Sequence, residues 1–135
     1  MGAPNTEHEA RSQVRVVVAG KGEANVATGV SVLDHLLTLL AEYASFDLAL
    51  EVAPGDADQE VRAAGRAFGE GRAAPLRAKE ARGHGSAVVP SAEALAHAAL
   101  EVSDRPLFVS NVDLTGARLG GMATDLVAAF LREFV

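Results

Sequence analysis

Residues 28–52, TGVSVLDHLLTLLAEYASFDLALEV, carry the clearest alternation of apolar and polar positions in the chain. At about 100° per residue, Val32, Leu33, Leu36, Leu37, Leu40 and Tyr43 share one broad arc, and Asp34, Thr38 and Glu42 share the other, which predicts an amphipathic helix with His35 on the border. Ser31 with Asp34 three residues on reads as a loose capping box, and Gly29 marks the turn into it. After Ser45 the period changes to two. Phe46, Leu48, Leu50 and Val52 fall on one side and Asp47, Ala49 and Glu51 on the other, so a strand with one buried and one wetter face follows the helix directly.

The flanking pattern extends this unit in both directions. Met1 to Ala10 is polar and predicts no element, whereas Gln13 to Ala19 is a β-branched run that predicts a strand. Gly20-Lys21-Gly22-Glu23 reads as a hairpin turn, with Ala24 to Thr28 as the returning strand. Downstream, Pro54-Gly55 ends the alternating strand, and Asp56 with Gln59 caps a second helix that carries Val61, Ala64, Gly65 and Phe68 on one face and is expected to end before Pro75. Gly65, Gly69 and Gly71 each cost that helix about 1 kcal/mol relative to Ala, a loss that close packing against the sheet is expected to offset.

The second half is less sharply patterned. Pro75 to Pro90 reads as a basic, glycine-containing connection with Arg77, Lys79 and Arg82, and Ser91 to Ala98 as a short Ala-rich helix. Leu100 to Val102 and Leu107 to Val112 are expected to be two strands around Ser103-Asp104-Arg105-Pro106. Thr124 to Val135 places Leu126, Val127, Phe130, Leu131 and Phe134 on one face of a final helix. Laying Gly29–Ala44 over Gly120–Val135 pairs Asp34 with Asp125, Leu40 with Leu131, Glu42 with Glu133 and Tyr43 with Phe134. The expectation is an α/β (α+β) chain built as a duplicated ββαβα unit with helices packed on a mixed sheet. Its first copy spans about residues 11–75. The second, about 91–135, lacks its last strand and helix.

Composition narrows the partners. The 135 residues, 49% of them hydrophobic, suit one domain with a real core, residues 1–135. A formal net charge of -6 argues against a nucleic-acid phosphate backbone as partner. Without cysteine there is no disulfide, thiolate metal site or Cys nucleophile. No apolar run reaches the roughly 20 residues that span a bilayer, and the N-terminus shows no signal-peptide core, so no membrane partner and a cytoplasmic location are expected. The glycines lack the strand, spacing and lysine of a phosphate-binding P-loop, and no Ser-His-Asp triad is indicated. The single titratable candidates each have an ordinary structural reading. His35 suits a helix border, Arg105 a turn beside Asp104, and Glu9 and Glu93 solvated positions.

Several stretches in order, GKGEANVATGVSVLDHLL (20–37), ASFDL (44–48), Gly55-Asp56, SAVVPSAEALA (86–96), SDRP (103–106) and TDLV (124–127), resemble the imidazoleglycerol-phosphate dehydratase family over nearly the whole chain. The resemblance implies a duplicated α/β sandwich and large symmetric oligomers. It also implies a lyase of histidine biosynthesis that removes water from imidazole glycerol phosphate with manganese ions held by histidine-rich motifs. The family's His-His pair and following Glu-Asp fall on Asp58, Gln59, Arg62 and Ala63, its helix-end histidine on Tyr43, and the Asp of its Pro-Met-Asp-Glu motif on Ala92. Its second-half His-His-x-x-Glu motif would lie beyond Val135. From the metal set the resemblance retains His35 and Glu93. From the substrate set it retains Glu9 and the phosphate-contacting Arg105, while a further phosphate-contacting arginine falls on Gly83 beside Arg82. The expected function is therefore a diverged, non-catalytic homologue that acts through binding or assembly as a homo-oligomer, with a phosphate-bearing small molecule as a possible ligand and no cofactor. The alternative is an active metal-dependent carbon-oxygen lyase with a rebuilt site and manganese.

Overall fold

The alternation read in residues 46–52 forms the centre of the structure. The computed structural model describes residues 12–78, 81–113, 116 and 118–135. Its elements are β1 (Gln13–Val17), β2 (Ala24–Ala27), α1 (Ser31–Ala44), β3 (Asp47–Glu51), α2 (Ala57–Arg77), β4 (His84–Pro90), β5 (Leu95–Glu101), β6 (Arg118–Leu119), β7 (Met122–Ala123) and α3 (Asp125–Phe134). β3 is the middle strand of a mixed sheet ordered β1-β3-β2, antiparallel to β1 and parallel to β2. Val16 and Ala24 flank Leu48, and Val14 and Val26 flank Leu50, so one face is a continuous apolar surface. Leu48 and Leu50 are both 2% exposed beneath the helices. On the other face Arg15, Ala49 and Asn25 stand side by side in solvent.

This order corrects the hairpin reading of residues 20–23. β1 and β2 do not pair with each other, because β3 lies between them. The segment crosses the start of β3 instead, where Asp47 Oδ1 accepts hydrogen bonds from Lys21 N at 2.8 Å and Glu23 N at 3.2 Å. Gly20 leaves room for that carboxylate, since a Cβ there would sit 2.4 Å from its carbon and push it off the Lys21 and Glu23 amides.

α1 begins at Ser31, but Ser31 does not cap it. The cap residue is Val30, with no side-chain bond. Asp34 reaches back to buried Thr28, accepting from its N at 2.8 Å and its Oγ1 at 2.5 Å. The buried stripe is Leu33, Leu37 and Ala41, narrower than the predicted arc. Tyr43, on the predicted apolar arc, is 85% exposed near the C-terminal end of α1. α2 carries the expected capping box, with Gln59 N donating to Asp56 Oδ1 at 2.8 Å and Asp56 N to Gln59 Oε1 at 2.9 Å. It runs through Pro75 to Arg77 rather than stopping before it. A proline two residues from the end deletes one hydrogen bond without bending a long continuation. Phe68, fully buried, joins the layers by edge-on contacts with Phe46 and Phe134.

The second half departs further from the pattern. Residues 84–90, read as connection, and 95–101, read largely as helix, form an antiparallel hairpin from His84↔Glu101 to Pro90↔Leu95. Valines at 88 and 89 give β4 strand character, and pairing with it outweighs the helix preference of the alanines in β5. Leu107 to Val112 forms no strand, and the expected pairing around residues 103–106 is absent because residues 100 and 101 are already paired with β4. α3 matches its prediction and packs on α2. Among the described residues this is a mixed α/β fold of three helices, one mixed three-stranded sheet and two antiparallel strand pairs.

Candidate functional site

The start of α2 is the place where sequence, capping and charge converge. Its first turn is fixed by the Asp56–Gln59 box, with Gln59 Oε1 lying over Gly55, where a Cβ would approach to 2.7 Å. One turn on, Arg62 Nε donates to Asp58 Oδ2 at 2.9 Å, the i, i+4 geometry of a helix-surface ion pair. The Asp58 hydrogen bond and charge, with the charge of Glu133, hold the Arg62 guanidinium even further above its ordinary value. The next turn crosses to α3, where Arg66 Nε meets Glu133 Oε2 at 3.3 Å. Beside this start lies a glycine-lined pocket of about 320 Å³, formed by Gly29, Ala57, Arg118, Gly120, Gly121 and Met122 among others, with Arg118 donating to the Gly121 carbonyl at 2.8 Å.

Of the site residues expected from the sequence, the β4–β5 pairing carries Arg82 and Arg105 to one end of the hairpin and Glu93 to the other. His35 is exposed on α1, and Glu93 is exposed in the loop that joins β4 to β5. Arg82 is exposed just before β4. Arg105 is exposed in the turn after β5, where its N–H donates to Ser103 Oγ at 3.3 Å. That turn is tied to the end of α2, since Arg77 donates to the Ser103 carbonyl at 3.4 Å and lies 3.8 Å from Asp104. Glu9 lies outside the described residues. Among the described residues, no three His, Asp or Glu side chains converge as a metal-ligand group. The Asp58–Arg62 pair was missed by sequence reasoning, although its four-residue spacing is the signal that finds it.

These features define the class of the protein as a mixed α/β chain whose ββαβα unit is followed by a hairpin and a further helix. A family model described as imidazoleglycerol-phosphate dehydratase matches residues 28–135. The chain belongs to the imidazoleglycerol-phosphate dehydratase family. It is 38% identical over 131 residues to the imidazoleglycerol-phosphate dehydratase of Syntrophobacter fumaroxidans, covering 93% of this chain and 66% of that protein. It is 36% identical over 131 residues to that of Pelobacter propionicus, covering 93% and 67%. The crystal structure of imidazoleglycerol-phosphate dehydratase from Staphylococcus aureus subsp. aureus N315 superposes with a TM-score of 0.81 at 26% identity, over 92% of this chain and 72% of that one. The chain therefore spans about two thirds of the length of these curated relatives.

Proposed function

We propose that this chain is a family member that does not dehydrate imidazole glycerol phosphate and acts through binding or assembly, as a single domain of residues 1–135 in the cytoplasm. The observation that carries the reading is the state of Asp58, Gln59, Arg62 and Ala63, the positions onto which the resemblance places a metal-binding motif. Gln59 is engaged in a cap, Asp58 in an ion pair with Arg62, and Ala63 has no donor. A manganese ion needs convergent carboxylate and imidazole ligands, and one carboxylate beside a guanidinium does not fit it. Arg105 and Arg82, both exposed, are offered as contacts for a phosphate-bearing small molecule, which a guanidinium holds through two oxygens at once. Glu9 is offered as a further ligand contact.

The identities of 36–38% to proteins named as dehydratases favour a second reading. In it the chain is an active carbon-oxygen lyase with a rebuilt manganese site that includes His35 and Glu93. A direct assay for the keto product, on protein purified free of host dehydratase and loaded with manganese, decides between them. No turnover is expected. Metal-dependent turnover that is lost in His35→Ala would overturn the first reading in favour of the second.

A further inference from the structure

Positions 58–66 are engaged with one another and with α3 by contacts that a metal site would have to break. The helices approach closely at Gly65, where an added Cβ would lie 2.4 Å from the Phe130 carbonyl oxygen and 3.1 Å from Glu133 Cβ. That approach brings the Glu133 side chain to α2, where it pairs with Arg66 and lies within the field of Arg62. Opposite charges therefore alternate from the start of α2 across to the end of α3. The donors do not fit the divalent ion that the family fold implies, yet none of these charges lacks an opposite neighbour.

We propose that Asp58, Arg62, Glu133 and Arg66 form a protein-only charge ladder in which Arg62 supplies the positive charge beside Asp58, where a metal ion would otherwise have to, and which sets the register of α3 on α2. The inference rests on the non-catalytic reading, but the two fail separately. Turnover through a site elsewhere would sink that reading and leave the ladder standing, whereas a cation bound at residues 56–66 would sink the ladder with no turnover required.

The test uses the full chain labelled with ¹⁵N and titrated with manganese chloride to equimolar metal. Paramagnetic broadening selective for amides 56–66 and 133 is expected to be absent from the wild type. It is expected to appear in Arg62→Glu, which leaves three carboxylates facing one another. A second measurement reads the register role. Amide exchange over residues 131–135 is expected to quicken about twofold to fivefold in Glu133→Gln, and 0.5 M salt is expected to produce much of that change in the wild type, because exposed ion pairs are weak and screened. A packing role alone would not respond to salt. Selective broadening in the wild type, silence in Arg62→Glu, or exchange indifferent to both Glu133→Gln and salt would each overturn the proposal.

Discussion

Asp47 organises its neighbourhood at the scale of a single side chain. Its carboxylate accepts from the backbone N–H groups of Lys21 and Glu23, and these bonds hold its pKa below the ordinary 3.8. The folded value lies below the unfolded one, so the stabilisation is complete above about pH 4 and is lost as pH falls through the depressed folded value. Asp47→Asn should remove that dependence while the amide oxygen still accepts one bond. Melting temperatures measured by circular dichroism from pH 2.5 to 6 should show the wild type losing its advantage below pH 4. Parallel curves for the two proteins would mean that the crossing loop is held by something other than the carboxylate charge.

At the scale of elements, the glycines of α2 explain where sequence reasoning reached and where it stopped. Gly65 and Gly69 were expected to pack on the sheet, but they meet α3, and only Gly71 approaches β1 through Val14 and Val16. A Cβ at Gly69 would lie 2.4 Å from the Phe134 carbonyl oxygen, while Arg72 lies over the Phe134 ring at 4.3 Å and donates to the same carbonyl at 2.7 Å. Gly69→Ala gains about 1 kcal/mol of helix propensity, but forcing two backbones apart costs about 1–3 kcal/mol, so the net change should be destabilising. Urea unfolding with an unchanged m-value would measure it, and a stabilised variant would show that α3 yields without loss. The amphipathic α1, the alternating β3, the boxed start of α2 and the final helix were legible because each is specified by residues near in sequence. The central place of β3, the β4–β5 hairpin and the seat of α3 depend on which surfaces meet across the chain. No local period records that. The same limit applies to the candidate site, where His35, Glu93, Arg82 and Arg105 are visible singly, but the strand pairing that carries Arg82 and Arg105 to one end of the β4–β5 hairpin and Glu93 to the other is not.

The exposed apolar surface is a property of the molecule as a whole. Directly opposed residues of the β4–β5 hairpin share a face, and Gly85 with Leu100, Ala87 with Ala98, and Val89 with Ala96 make one face wholly apolar. A two-stranded ribbon is marginal in water by itself, and Val89 and Leu100 are 64% and 58% exposed on that face. Val88 and Leu95 on the other face, and Leu107, Val109 and Val112 beyond it, are exposed as well. At roughly 100 Å² each, these side chains offer several hundred Å² divided between the two faces of the ribbon and the segment after it, in sum near the ~800 Å² per partner of a stable interface. Covering them at about 25 cal/mol per Å² yields ten or more kcal/mol before association entropy, which takes back an estimated 4–15 kcal/mol. The balance leans towards the proposed homo-oligomer, expected as a dimer or trimer. Light scattering at micromolar concentration should give a multiple of the 13.9 kDa chain mass. Val89→Lys with Leu100→Lys should lower that mass while leaving the helical circular dichroism of α1 and α2 intact, since neither residue belongs to the core. A folded, soluble monomer in the unsubstituted chain would mean that this surface tolerates water, and the assembly reading would fall with it.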